Sequence, residues 1–330
     1  MNCPVCLKDS TAEILETHTD YINNQEYKMR LCEKCGAVFA DPAAAPAAEW
    51  YIKFSPARRE KFNLRLNWGH RKYFEEDLSF TGKILDVGCG CGNFLYKAQE
   101  SGYQATGIDF DGRAVAFANG IGLKDVSCIS FEEFRNKRAN EKFDSVVLFE
   151  FLEHVPDPNR FVAQIKDMLV QNGCLAVMVP NADRPLCFRF QQYDYPPQHF
   201  TRWTLKTLKT FLGMLGFNII TAKKGSMPYF YVNDNIFYFL VSKILSVIKR
   251  CFYSGISYKD ASSLPLDTIG EKSGKKVSIG SVPSRYRRIL VKILKFFYSI
   301  IFFPINFFIW MWFKIIGKSC YIYVFARKIQ

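Results

Sequence analysis

The sequence predicts an α/β fold built on an open, mostly parallel sheet, and three observations carry that reading. Short apolar runs rich in Val, Ile and Leu alternate with helical stretches between residues 84 and 181. The first run, Ile84-Leu85-Asp86-Val87, flows into Gly88-Cys89-Gly90-Cys91-Gly92-Asn93. A glycine-rich turn between a buried strand and a helix marks the sheet edge where ligands bind, because backbone can approach a ligand there without a Cβ in the way. Finally, 330 residues with 49% hydrophobic and 23% charged side chains can build a real core, which excludes a disordered chain. No internal repeat or low-complexity tract interrupts it.

The elements follow in order. A dinucleotide turn of the form G-x-G-x-x-G counted from Gly88 requires glycine at residue 93, which is Asn93. The glycines fall instead at 88, 90 and 92, with Asp86 two residues before the first. Residues 103–109 read as a second strand ending at Asp109, spaced to accept hydrogen bonds from ribose hydroxyls. Phe110 follows it. After a helical stretch, Val126 to Phe134 supplies a third-strand segment containing Ile129 and Ser130. Phe143 to Glu150 reads as a fourth strand, followed by Phe151-Leu152-Glu153-His154-Val155-Pro156-Asp157-Pro158, and Leu175 to Asn181 as a fifth.

Four segments in this order and spacing, over residues 84–181, resemble the class I S-adenosylmethionine-dependent methyltransferases. The resemblance implies a Rossmann-like, seven-stranded sheet. It also implies that Gly88, Gly90 and Gly92 wrap the methionine part of the cofactor, with Asp86 near its positive charge. Asp109 then holds the ribose. Phe110, Ile129 and Ser130 surround the adenine, and Phe149 joins the cofactor-binding set. A cofactor-free βαβ sheet, or one that binds S-adenosylmethionine without turnover, is the bland alternative.

At the amino terminus, Cys3-Pro-Val-Cys6 and Cys32-Glu-Lys-Cys35 are two C-x-x-C knuckles. Together they can offer four thiolates to one structural Zn, in a zinc-ribbon-like module over residues 1–40 with a hairpin between Ala12–Leu15 and Glu26–Leu31. Unrelated thiols or a redox pair are the alternative. Residues 41–48 read as a Pro- and Ala-rich linker, and Trp50 to Leu78 as helices leading into the first strand. Eleven cysteines, several in apolar runs, and an amino terminus without a charged-then-apolar signal pattern lead us to expect a reducing, cytoplasmic setting.

Methyl transfer needs an aligned nucleophile and, for many acceptors, a base. Of four histidines, His18 and His70 lie outside the expected ligand edge. His154 follows the fourth strand, where it serves either as a base or as a structural histidine bonding backbone. His199, in the polar and aromatic run Tyr193 to Thr204, faces the substrate side in the resembled family and is the leading candidate base. Tyr193 and Tyr195 are alternates.

Thr204 to Gly216 reads as a helix and Asn218 to Ala222 as a sixth strand. The seventh strand waits until Ser319 to Lys328, so the core comprises residues 49–225 and 319–330, and residues 226–318 form a long insertion. The net charge of +13 lies at this end. Residues 1–240 hold 28 basic and 28 acidic side chains, and residues 241–330 hold 16 and 3. Ile236 to Ile248 shows one apolar helical face, and Ser254 to Ser284 is Gly-, Ser- and Lys-rich. Phe296 to Phe313 runs eighteen residues without a charge, ten of them aromatic, and Lys292, Lys295, Lys314 and Lys318 flank it.

A single membrane span conflicts with the topology, because strand seven must pair with strand six on the same side, and Pro304 and Asn306 interrupt the run. In-plane or re-entrant attachment to an anionic membrane surface is expected, with a lid packed on the protein's own core as the alternative. Strand six directs the insertion to the ligand edge. The expected acceptor is therefore a small-molecule or lipid-linked one at the cytoplasmic membrane face: a cell-envelope glycan, a sugar nucleotide or an isoprenoid-linked compound. O-methylation is favoured by prevalence. An RNA methyltransferase with a zinc ribbon is a second reading, disfavoured because the basic residues sit among bulky aromatics. A non-enzymatic S-adenosylmethionine-binding protein is the third.

Overall fold

The computed structural model of the chain describes residues 2–9, 12–20, 22–46, 50, 64–76, 82–185, 194–252 and 284–329. The chain forms two compact units. One comprises Met1–Asp183, Tyr195–Gly225 and Cys320–Gln330, and the other Arg184–Asp194 and Ser226–Ser319.

The first unit is built on the expected sheet. Its strands are β4 (Lys83–Val87), β5 (Gln104–Asp109), β6 (Val126–Cys128), β7 (Phe143–Phe149), β8 (Leu169–Pro180), β10 (Phe217–Lys224) and β11 (Tyr321–Lys328). They lie in the order β10-β11-β8-β7-β4-β5-β6. β4 to β8 are mutually parallel, and β11 runs antiparallel to both of its neighbours, β8 and β10. The seven-stranded class I methyltransferase sheet is thus present, and its last strand lies where the late aromatic run predicted it. The third-strand segment is shorter than expected. β6 ends at Cys128, because Ser130 caps a helix by accepting the Glu133 N–H at 3.1 Å.

Strand alternation divides the core into two layers. Leu85, Val87, Val146, Leu148, Val177 and Val324 pack on one face, against Phe161 and Ile165 of α5 (Pro158–Met168) and Leu208 and Phe211 of α6 (Leu205–Met214). Ile84, Val147, Ala176 and Phe325 pack on the other. There they meet Tyr73 of α1 (Trp68–Tyr73), Phe94 of α2 (Asn93–Glu100) and Val115 of α3 (Gly112–Gly120). α4 (Phe131–Lys137) follows β6. Of the helices expected over Trp50–Leu78, α1 is described, and residues 51–63 and 77–81 lie outside the described set.

The four-cysteine region forms a second sheet, β1 (Ala12–Thr19), β2 (Glu26–Cys32) and β3 (Val38–Asp41). The hairpin is longer than expected. A fourth strand, β9 (Thr201–Arg202), joins from the far side of the sequence and pairs with β3. Cys3, Val5, Cys32, Ala37 and Phe39 belong to the same buried cluster as the first layer of the large sheet. The region is therefore built into the core, where the sequence suggested a module on a linker.

The second unit contains α7 (Tyr229–Phe252), α8 (Ser284–Ile301) and α9 (Phe303–Ile315). The apolar run breaks at Phe302, with a 76° bend between Lys292–Ile301 and Phe303–Ile315. Pro304 sits in the first turn of α9, where a missing N–H costs nothing. Asn306 does not interrupt α9. It lies buried within the unit and donates to Asn233 Oδ1 at 3.0 Å and Tyr298 Oη at 3.1 Å. Asn233 in turn donates to Ser299 Oγ at 3.0 Å, and Lys295 pairs with Asp234 at 2.7 Å. Outside this polar interior, Ile301, Phe308 and Ile315 are 68%, 72% and 73% exposed. Most of the Ser254–Ser284 stretch lies outside the described residues. Among the described residues no single helix is long and apolar enough to cross a membrane.

Candidate active site

The glycine turn sits at the carboxyl end of β4. Gly88, Gly90 and Gly92 all adopt left-handed backbone, with φ of 80°, 55° and 80°, a region closed to most side chains. A Cβ on Gly88 would lie 2.4 Å from the Phe151 ring, and one on Gly92 2.3 Å from Leu123 Cδ1. At Gly90 nothing lies within 4 Å, so this peptide faces open space. The two outer glycines are thus held by packing, and the middle one leaves room beside its backbone.

Two carboxyl groups border the cradle. Asp86 is buried, and desolvation, with the nearby Asp109 charge second, raises its pKa well above the usual carboxylate range. Asp109, at the end of β5, accepts the Gly90 N–H on Oδ2 and the Asp111 N–H on Oδ1, each at 2.8 Å. Desolvation raises its pKa too, although these N–H groups oppose the shift. Two crowded, desolvated carboxyl groups suit a ligand that brings positive charge and hydroxyl donors. The cradle therefore fits S-adenosylmethionine, whose sulfonium, ammonium and ribose carry those groups. Phe110 is 64% exposed beside it. Asp109 and Cys128 are paired across β5 and β6, so Phe110, Ile129 and Ser130 leave adjacent strand ends. Ile129 is half-buried against the core, and Ser130 is committed to its cap.

Three features here were missed in the sequence. His70, set aside as outside the ligand edge, packs 4.6 Å from Phe149 and 5.7 Å from Phe94, and burial lowers its pKa to about 3. It is a neutral imidazole at working pH, with Nδ1 accepting the Asn67 N–H at 3.4 Å. Nothing in its local sequence marks this. Phe151 closes over Gly88. Glu150, the last residue before it, holds φ of 55° without being glycine, a conformation that concentrates at functional sites. The unusual E-F-L-E-H run was the available signal for both.

The two candidate bases come together. His154 ends a short 3₁₀ helix (Leu152–His154) after β7, and His199 lies on the segment before β9. Their ring centroids are 4.8 Å apart. His154 Nδ1 lies 2.5 Å from the Gln198 carbonyl oxygen. Only a protonated Nδ1 can donate there, which leaves Nε2 as the lone-pair nitrogen. Buried Glu153 joins them, so that one ligand atom from each of Glu153, His154 and His199 falls within 4.8 Å of the others. Such a trio can share a proton or hold a cation. Tyr195 faces the four-cysteine sheet, and Tyr193 lies outside the described residues.

The four cysteines also converge. Cys3 and Cys35 Sγ are 3.8 Å apart, and Cys6 and Cys32 Sγ 3.9 Å. Zn–S bonds of about 2.3 Å in a tetrahedron require sulfurs about 3.8 Å apart, so the set fits zinc. The two knuckles fold alike. The Leu7 N–H donates to the Cys3 carbonyl and the Gly36 N–H to the Cys32 carbonyl, each at 2.8 Å. Leu7 and Gly36 both hold positive φ, 58° and 71°.

The sequence also matches a known family. Residues 47–222 match the family model described as a methyltransferase domain. A ubiquinone biosynthesis O-methyltransferase of Pasteurella multocida is 38% identical over 109 residues, 29% of this chain and 45% of the relative. One from Coxiella burnetii is 30% identical over 134 residues, 39% of this chain and 56% of the relative. The chain thus spans about half the length of the curated relatives it matches. Among solved structures, a SAM-dependent methyltransferase from Archaeoglobus fulgidus is 18% identical, with a TM-score of 0.47, covering 86% of this chain and all of that one. The family match covers more than half of the chain, and the chain belongs to the class I S-adenosylmethionine-dependent methyltransferase family.

Proposed function

We propose that this protein transfers a methyl group from S-adenosylmethionine to an oxygen of a small-molecule or lipid-linked acceptor, working at an anionic membrane face. The relatives named as O-methyltransferases favour oxygen as the acceptor atom. Bound S-adenosylmethionine supplies a methyl group already activated by the sulfonium. Asp86 neutralises the cofactor's positive end, the Gly88–Gly92 turn admits it, and Asp109 takes the ribose hydroxyls. Phe110, Ile129 and Phe149 supply apolar contact. On the acceptor side His199 or His154 Nε2 removes the hydroxyl proton, and Glu153 stabilises the resulting imidazolium. The four cysteines hold a structural zinc. Metal analysis should give one zinc per chain, lost in Cys32→Ser.

The observation that carries the membrane reading is the polarity of the helical unit. It buries Asn233, Asp234, Asn235 and Asn306 while exposing Phe296, Ile301, Phe308 and Ile315. That arrangement is backwards in water and correct in lipid, where polar side chains face the bundle interior. The ten residues Lys292–Ile301 span about 15 Å and the thirteen of α9 about 20 Å, against a hydrocarbon core of about 30 Å. Bent by 76°, the pair forms a shallow V with lysines at both ends: Lys292 and Lys295, then Lys314 and Lys318. It suits entry into one leaflet and return, with Lys292, Lys314 and Lys318 on anionic headgroups and Lys295 held by Asp234.

Labelled S-adenosylmethionine incubated with membrane lipid extract and, separately, with sugar-nucleotide extract tests the proposal. Label entering the lipid fraction, lost in His199→Ala without loss of cofactor binding, is the expected result. Label entering only the sugar-nucleotide fraction keeps the methyl transfer and overturns the lipid-linked acceptor; no transfer in either extract contradicts the proposal.

A further inference from the structure

The outermost strand of the four-cysteine sheet grips the segment that carries His199. The Tyr195 hydroxyl donates to Glu16 Oε2 at 2.5 Å, and the Arg202 guanidinium is ion-paired with Glu16 Oε1. His18 stacks on the Tyr195 ring, with centroids 4.5 Å apart and planes 24° off parallel, and the Arg202 guanidinium lies 4.8 Å from the same ring. A β-bulge falls immediately before Glu16, the kind of irregularity that re-aims a side chain.

From Tyr195 the restraint passes directly to the histidines. The Tyr195 carbonyl accepts the N–H groups of Gln198 at 3.0 Å and His199 at 3.1 Å. The Gln198 carbonyl is the one that receives His154 Nδ1–H. Next, the Phe200 N–H donates to the Glu153 carbonyl, and the Phe200 carbonyl receives the Ala40 N–H, both at 2.8 Å. Thr201 and Arg202 then pair with Phe39 and Val38 of β3. One face of this segment is therefore bonded to the four-cysteine sheet and the other to the 3₁₀ helix bearing Glu153 and His154.

We infer that the four-cysteine sheet is a clamp on the acceptor side of the active site, and that Glu16 and Tyr195 are positioning residues that fix the His154–His199 pair. Neither residue touches a reacting atom. Each acts through the backbone turn that Tyr195 begins. The cofactor cradle is built from other elements, β4, β5 and the glycine turn. The inference rests on the proposed reading of the two histidines as acceptor-side groups.

The test uses the full-length protein with ¹⁵N-labelled histidine, whose four imidazoles report tautomer and environment. In the unaltered protein His154 should be fixed in the Nδ1–H form, held there by the Gln198 carbonyl. In Glu16→Ala and in Tyr195→Phe, His154 and His199 should move toward the averaged signals of solvated imidazole. The buried His70 should stay unmoved, and cofactor affinity should change by less than about threefold. Glu16→Gln keeps an acceptor for the Tyr195 hydroxyl and should fall between. If Glu16→Ala also disturbs His70, the fold has been damaged, and Tyr195→Phe, which removes one hydroxyl, decides. His154 remaining in the Nδ1–H form in Tyr195→Phe overturns the clamp. Failure of the underlying reading shows separately, as methyl transfer that survives both His154→Ala and His199→Ala.

Discussion

Around Val147 the chain buries aliphatic side chains between sheet and helices. Around Asn306 it buries amides and a carboxylate and turns phenylalanine and isoleucine outward. One rule bears on both, that a buried polar group without a partner is costly. The difference lies in what each region buries and what it exposes. The helical unit exposes more large apolar side chains than scattered surface residues explain, while Asn306 bonds Asn233, Asn233 bonds Ser299 and Lys295 pairs with Asp234 inside it, the pattern on which the proposed membrane reading rests.

Substitutions can break this contrast. The largest effect belongs to the sheet unit. Val147→Asp should unfold it, at a cost above about 3 kcal/mol, because a lone carboxylate cannot be buried there; thermal denaturation reads the loss. The same chemical change at Ile301 and Phe308 together should leave melting of the sheet unit unchanged and instead reduce flotation with phosphatidylglycerol vesicles at least about tenfold. Equal unfolding by both would dissolve the distinction.

Asp86 sharpens the comparison from the other side, because it is a buried carboxyl whose ionisation is opposed by desolvation. Asp86→Ala should weaken S-adenosylmethionine binding on the order of 100-fold or more in titration calorimetry. The pH dependence has a definite sign. A carboxyl whose folded pKa is raised binds more protons in the folded than in the unfolded state, so the ligand-free fold loses stability as pH rises through that pKa. The cationic cofactor favours the ionised form, so affinity should rise with pH over the same window, and this rise should vanish in Asp86→Asn.

Asn306→Leu should destabilise the helical unit by about 1–3 kcal/mol, because it strands the Asn233 side-chain oxygen Oδ1 inside. The smallest effect is expected at Leu7, 58% exposed at positive φ. Leu7→Gly relieves left-handed strain and should change stability by about 1 kcal/mol or less in its favour. Chemical denaturation checks both.

The cofactor cradle was legible because its parts are contiguous. Gly88, Gly90 and Gly92 announce a backbone need that no other residue meets, and Asp86 and Asp109 end strands that apolar runs define. The pairing of His154 with His199 was legible only as two separate candidates, since 44 residues separate partners joined through Gln198. His70 was passed over because its function lies in packing against Phe94 and Phe149, which no local pattern encodes. The clamp was invisible for the same reason. Glu16 and Tyr195 are 179 residues apart, and β9 is a two-residue strand recruited by β3. In the insertion, composition pointed to a membrane, but Asn306 read as a helix breaker because its partners Asn233 and Tyr298 are tertiary.

Tryptophan quenching tests the central contrast most directly. Trp50 and Trp203 are buried and Trp68 is half-buried in the sheet unit, while Trp312 on α9 is 58% exposed. The full-length protein mixed with phosphatidylglycerol vesicles carrying brominated acyl chains should lose fluorescence, chiefly from α9, and Trp312→Phe should remove most of that loss. Fluorescence unaffected by the brominated chains, with the protein folded and vesicles in excess, would show that the inverted unit does not meet lipid.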